Sequence, residues 1–177
     1  QQIIDAYDFS KHKRMLDIGG GSGAFTAAIA MAAPNIDFGI FDLPDVIAEA
    51  RKRLGAAEIQ FHPGSFKENT IPTGYDLITL VRILHDHDDD VVQALLPKIF
   101  DALPPGGRLL IVEPMAESAH AERMGGAYFG LYLWAMGSGR PRTAAETISM
   151  LNSAGFTTIN PVKTALPIIT SALVAIK

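Results

Sequence analysis

The run Leu16-Asp17-Ile18-Gly19-Gly20-Gly21-Ser22-Gly23 sets four glycines between a short apolar segment and an alanine-rich one. Glycines let the backbone approach a ligand closely, and a helix starting behind such a loop offers it free N–H groups. The next apolar segment ends at Asp42, about 20 residues on, where a carboxylate can accept hydrogen bonds from the hydroxyls of a ribose. Together the two features indicate a cofactor that contains adenosine. Gly19-x-Gly21-x-x-Ala24 also satisfies the dinucleotide pattern, so NAD stays open as an alternative. Asp17, just ahead of the loop, favours S-adenosylmethionine: a carboxylate there disfavours a pyrophosphate and can reach the amino-acid portion of a sulfonium cofactor.

A second chemical cluster is His85-Asp86-His87-Asp88-Asp89-Asp90. An imidazole at the end of a strand is a candidate general base, and a well-placed base contributes roughly 10²–10⁴-fold. The acids have plainer uses as caps for the helix that follows from Val91, whose N-terminal dipole they complement. A divalent cation is not expected, because consecutive side chains diverge and no glycine turns the loop around an ion. Carboxylates so close work against a neutral base, so some of them should point away, and His87 should be solvated.

Strands alternating with helices must position these groups. The pattern predicts strands at Arg14–Ile18, Asp37–Phe41, Ile59–His62, Tyr75–Leu84 and Arg108–Glu113. Helices are expected over Ala24–Ala33, Asp45–Leu54 closing at Gly55, Val91–Leu103, Ala121–Met136 and Thr143–Ala154. Such alternation implies a doubly wound, mostly parallel sheet covered on both faces, an α/β fold. The last two strands, Thr157–Lys163 and Ile168–Ile176, leave no room for a crossover helix and must pair antiparallel. A parallel sheet ending in an antiparallel hairpin is narrower than a generic dinucleotide fold and again favours S-adenosylmethionine.

The length of 177 residues suits one domain, and 48% hydrophobic with 19% charged residues excludes disorder and a fibrous structure. A formal net charge of −4 argues against broad binding to phosphate backbones or anionic membranes, so a small-molecule substrate fits better than nucleic acid. With no cysteine, disulfides, thiolate metal sites and a cysteine nucleophile are excluded. Met124–Met136 is too short for a bilayer span of about 20 residues. Phe129, Leu133 and Met136 share one helical face there and Tyr128 and Tyr132 the next stripe, which suits the core or the wall of a pocket for a long hydrophobic acceptor.

Leu16–Gly23, Phe41-Asp42-Leu43-Pro44, Leu84-His85-Asp86, Pro104-Pro105-Gly106-Gly107-Arg108 and Ser153-Ala154-Gly155-Phe156 occur in order. This resembles the S-adenosylmethionine-dependent O-methyltransferases of the plant caffeate/flavonoid type and their bacterial relatives. His62–Phe66, Leu80–Leu84, Tyr128–Tyr132 and Ala135–Arg140 resemble the bacterial carotenoid branch, the demethylspheroidene (hydroxyneurosporene) O-methyltransferases. The resemblance implies a seven-stranded class I methyltransferase sheet, a hydroxylated carotenoid as acceptor, and a phenol or polyketide as the alternative. It implies His85 as base, oriented by Glu113, and it puts Gly19 and Gly21 at the methionine part of the cofactor, Asp42 and Leu43 at the ribose and adenine, and Ser65 and Phe66 beside the adenine. Arg82 is expected as a charge near the cofactor.

The sequence departs from the plant pattern twice: Ser65 replaces an acid at the adenine, and Pro141 replaces a second glutamate near the histidine. Relatives carry a further N-terminal helical region that makes a homodimer and closes the substrate pocket. The resemblance therefore implies that residues 1–177 are the catalytic domain of a longer cytoplasmic protein, one that meets a lipophilic substrate at the membrane surface. Such a fragment should bind cofactor and methylate poorly.

Overall fold

The computed structural model describes residues 1–55, 58–116, 137–167 and 169–177. Among them seven strands form one sheet: β1 (Arg14–Ile18), β2 (Asp37–Asp42), β3 (Ile59–Pro63), β4 (Leu77–Val81), β5 (Arg108–Glu113), β6 (Thr158–Val162) and β7 (Ser171–Ile176). Their order is β3-β2-β1-β4-β5-β7-β6. The first five run parallel, β7 pairs antiparallel with β5, and β6 antiparallel with β7, as the short final connection requires. The described helices are α1 (Gln2–Ala6), α2 (Ala24–Ala32), α3 (Pro44–Leu54), α4 (Asp89–Ala102) and α5 (Ala144–Ser153).

The central strands are apolar on both sides because both faces are covered. Leu16, Ile18, Ile78, Leu80, Leu109 and Ile111 share one buried cluster with Val92, Leu95, Leu96 and Ile99 of α4 and Leu151 of α5. The alternate residues Met15, Leu77, Leu110 and Val112 join Ile29 of α2, Ile3 of α1, and Tyr7 and Phe9 in a second cluster. Helix α3 opens on Pro44, which has no N–H to leave unpaired, and stops at Gly55 with φ 58.

Two strand bounds need correction, and one helix was not expected. The fourth strand is shorter than Tyr75–Leu84. Arg82 takes φ 59 and leaves the ladder, and Leu84–Asp86 closes into a 3₁₀ turn. At the other end Tyr75 turns its hydroxyl to within 2.7 Å of Nε2 of His62, in space that Gly39 leaves open. Helix α1 had no sequence forecast, since five residues carry too little periodicity to read. The final strand starts at Ser171, not Ile168, which lies outside the described residues, as does the expected helix over Ala121–Met136.

The strand order reverses between β1 and β4: the chain winds outward from β1 through β2 to β3, then returns to β4 on the other side. An open parallel sheet binds ligands at that reversal, outside the carboxyl ends of its strands. The glycine loop follows β1 and the His85 turn follows β4, so the fold brings the two chemical clusters of the sequence to one crevice.

Candidate active site

The glycine loop is tied to the end of β2. Gly19 donates its N–H to the Phe41 carbonyl at 2.8 Å and Gly21 to Oδ2 of Asp42 at 2.8 Å, while Leu43 donates to Oδ1 at 2.7 Å. Each Asp42 oxygen keeps a further lone pair for a ligand hydroxyl. Gly19 and Gly21 have φ of 67 and 58, and they serve differently. A Cβ on Gly19 would collide with Ile83 of the turn after β4, so this glycine lets the two halves of the crevice meet. A Cβ on Gly21 would meet nothing within 4 Å, so this glycine faces open space. Leu43 beside it is an apolar side chain left 52% exposed.

Asp17 stands beneath the loop rather than in its mouth. It is 1% exposed, with Thr26 of α2 donating to one oxygen at 3.0 Å and Thr79 of β4 to the other at 2.7 Å. Burial pushes its carboxyl up to about 6, against the two threonine hydroxyls, which pull it down, and the Asp42 charge adds to the rise.

His85 is buried in the 3₁₀ turn, and Glu113 at the end of β5 holds that turn by its backbone. One Glu113 oxygen accepts the N–H of Ile83 at 3.0 Å and that of Leu84; the other accepts the N–H of His85 at 3.0 Å. The ring lies between two carboxylates: Nε2 is 3.1 Å from Oδ1 of Asp86 and Nδ1 is 3.4 Å from Oε2 of Glu113. The second contact is electrostatic only, because Nδ1 is buried without a hydrogen-bond partner.

The acidic run does less capping than its position suggests. Asp90 takes the N–H of Val91, but Asp88 at the N-cap of α4 accepts instead from Gly139 at 2.9 Å, and Asp89 pairs with Arg140 and Arg142. These acids point away from the ring, as a base requires, whereas Asp86 does not. His87 is half-buried rather than solvated, packed edge-on against Phe66 at 5.2 Å. Burial lowers its affinity for a proton, with Lys67 adding to the effect. Ser65 starts the turn after β3, its carbonyl accepting from Asn69 at 2.7 Å, and Lys98 of α4 fastens that turn through the Phe66 carbonyl at 2.8 Å. Gly19, Gly21, Asp42 and Leu43 thus form one group, and His85 and Glu113 another, with Phe66 joined to the second turn through His87. Arg82 is exposed at the end of β4, on the side of Phe25 and Ile3. Sequence reasoning missed Arg142, which is 3% exposed although it sits in a polar stretch between a turn and the N-cap of α5. A usable signal was Thr143-x-x-Glu146, a capping box that fixes the start of α5 and makes Arg142 the residue leading into it.

An open sheet of this order, with a glycine loop and strand-end carboxylate at the reversal and an antiparallel final hairpin, defines the class I methyltransferase fold. Residues 1–157 match the O-methyltransferase domain family, and the chain belongs to it. Demethylspheroidene O-methyltransferase of Rhodobacter capsulatus is 46% identical over 168 residues, covering 95% of this chain and 42% of that protein. The enzyme of the same name from Cereibacter sphaeroides is 40% identical, covering 100% of this chain and 48% of its own length. Human N-acetylserotonin methyltransferase in complex with S-adenosylmethionine superposes with a TM-score of 0.89 at 30% identity, over 99% of this chain and 50% of that one. The chain spans about half the length of the curated relatives it matches.

Proposed function

We propose that residues 1–177 form the cofactor-binding catalytic domain of an O-methyltransferase. It moves a methyl group from S-adenosylmethionine to a hydroxyl of a hydrophobic small molecule, a hydroxylated carotenoid of the demethylspheroidene type. The observation that carries this reading is the juxtaposition of His85 with the glycine loop across one crevice, with Ile83 of the histidine turn packed over Gly19. The carotenoid acceptor is supported by the two demethylspheroidene O-methyltransferases among the relatives.

The residues present suit the cofactor. Asp42 has lone pairs for ribose hydroxyls, Leu43 and Phe66 offer apolar surface to an adenine, and Gly21 leaves open space at the loop. Asp17 supplies negative charge beneath the loop, complementary to the cofactor's ammonium, and Arg82 at the strand end complements its carboxylate. Bound there, S-adenosylmethionine supplies a methyl group on a sulfonium, so the leaving group is already activated.

What the chain must add is alignment and removal of one proton. His85 takes the proton of the acceptor hydroxyl at Nε2, which the half-exposed Asp86 carboxylate uncovers by rotating off the ring. The charge that the ring gains then has Glu113 3.4 Å from Nδ1. Glu113 acts chiefly on the backbone, fixing three successive N–H groups so that the ring keeps its direction. No described helix is long and apolar enough to cross a membrane. In this reading the protein meets a lipophilic acceptor at the membrane surface. Homodimerisation through a segment outside these residues completes it.

Titration with S-adenosylhomocysteine and with NADH tests the cofactor: the first should bind and the second should not. Methyl transfer to a panel of hydroxylated carotenoids and phenols tests the acceptor. Transfer to phenols alone would overturn the carotenoid assignment, and transfer to neither by the full-length protein would overturn the activity.

A further inference from the structure

A guanidinium that is 3% exposed is costly unless its donors are matched, and those of Arg142 are. Nη1 donates to the Leu84 carbonyl at 2.6 Å, Nη2 to the His87 carbonyl at 2.8 Å, and Nε and Nη2 to Oδ1 of Asp89 at 2.9 and 2.6 Å. The two carbonyls flank His85: Leu84 opens its 3₁₀ turn and His87 ends it. A single turn has no successive turns to satisfy its carbonyls or hold its pitch. Glu113 holds this turn from the N–H side, and Arg142 holds it from the C=O side.

The chain around Arg142 is shaped to the same purpose. Gly139, at φ 81, runs so close to the turn that a Cβ would collide with the His85 carbonyl oxygen. Its N–H donates to Asp88, and Ser138 donates to the Asp86 carbonyl at 3.3 Å. Arg140 completes the tie by bridging Asp89 and Glu146 at 3.0 and 2.8 Å. The segment from Ser138 to Arg142 is thus fastened to the backbone of the His85 turn at several points.

We propose that Arg142 is a positioning residue for His85, acting on the imidazole through the carbonyls of Leu84 and His87; this rests on His85 being the base of the proposed methyl transfer. The planar guanidinium meets two carbonyls and a carboxylate from three separate nitrogens, whereas an ammonium offers all its donors from one point. Displacing a reacting group by about 1 Å can cost up to ~10²-fold in rate.

Arg142→Lys and Arg142→Ala should lower kcat by about 10-fold and up to ~100-fold, respectively, with the dissociation constant of S-adenosylhomocysteine changed less than about twofold. The lysine variant keeps the charge and guards against simple misfolding. In a His85→Ala background the same changes should cost less than about twofold, since a residue acting through the ring has nothing left to position. Ring ¹⁵N spectra of His85, which report its tautomer and surroundings, should change in both single variants without any turnover being needed. Unchanged His85 spectra, or equal losses with and without the ring, would overturn the proposal. A wild-type protein that transfers no methyl group while Arg142→Lys alters the His85 spectrum would instead refute the functional reading and leave the clamp standing.

Discussion

Asp17→Asn should stabilise the cofactor-free domain at neutral pH and weaken cofactor binding. The carboxyl rises from 3.8 to about 6 because it is buried, with the hydroxyls of Thr26 and Thr79 as its partners. At about 1.4 kcal/mol for each pH unit, that rise corresponds to about 3 kcal/mol of folding free energy. A folded-state value above the unfolded one means that the stabilising contribution of Asp17 is complete below pH 3.8 and lost as pH rises through about 6. At pH 7.5 the wild-type fold therefore carries the full cost of a buried charge, which a neutral amide of the same shape avoids. Either threonine hydroxyl can turn from donor to acceptor to meet the new NH₂ group. Urea unfolding followed by circular dichroism at pH 4.5, 6 and 7.5 should show Asp17→Asn gaining on wild type, by about 2 kcal/mol between the first and last values. S-adenosylhomocysteine should bind the variant more weakly at pH 7.5. A stability difference that does not vary with pH would show that the cost does not come from the buried charge.

Glu113→Gln replaces an acceptor of three backbone N–H groups by one that must turn an NH₂ toward some of them; unfolding titrations should show a loss of about 2–3 kcal/mol, and kcat should fall with it. His12, packed between the Tyr7 hydroxyl at 2.7 Å and Asp76 at 3.4 Å, is held below the ordinary 6.5 chiefly by burial, which Asp76 opposes. Its depressed value contributes stability above pH 6.5 that is lost as pH falls through the folded-state value, so His12→Gln should flatten the acid limb of the stability profile there.

The path from sequence to site was clearest where one residue type has few physical uses. Four glycines behind a strand and a carboxylate at the next strand end read as a ligand loop, and the structure brings the two into hydrogen-bond contact. The family resemblance pairs His85 with Glu113, and the two lie 3.4 Å apart in the structure. The acidic run misled because capping is a local expectation, while Asp88 and Asp89 are taken by a segment some 50 positions away. For Arg142 the capping box marks the place but not the burial: an arginine between a glycine-rich turn and a helix cap reads as surface charge, and its burial depends on carbonyls that only the tertiary fold supplies. The left-handed conformation of Arg82, which ends β4 early, conflicts with the apolar run through Leu84 that suggested a longer strand. In each case tertiary contacts overrode a local pattern.

In the proposed function, His85 is the base of a methyl transfer served by the glycine loop. Its most direct test is transfer of a labelled methyl group from S-adenosylmethionine to a hydroxylated carotenoid by the full-length protein, wild type against His85→Ala, with S-adenosylhomocysteine binding measured on both. Transfer by His85→Ala should be at least ~10²-fold slower with cofactor affinity unchanged; equal turnover in the two proteins would show that His85 is not the base.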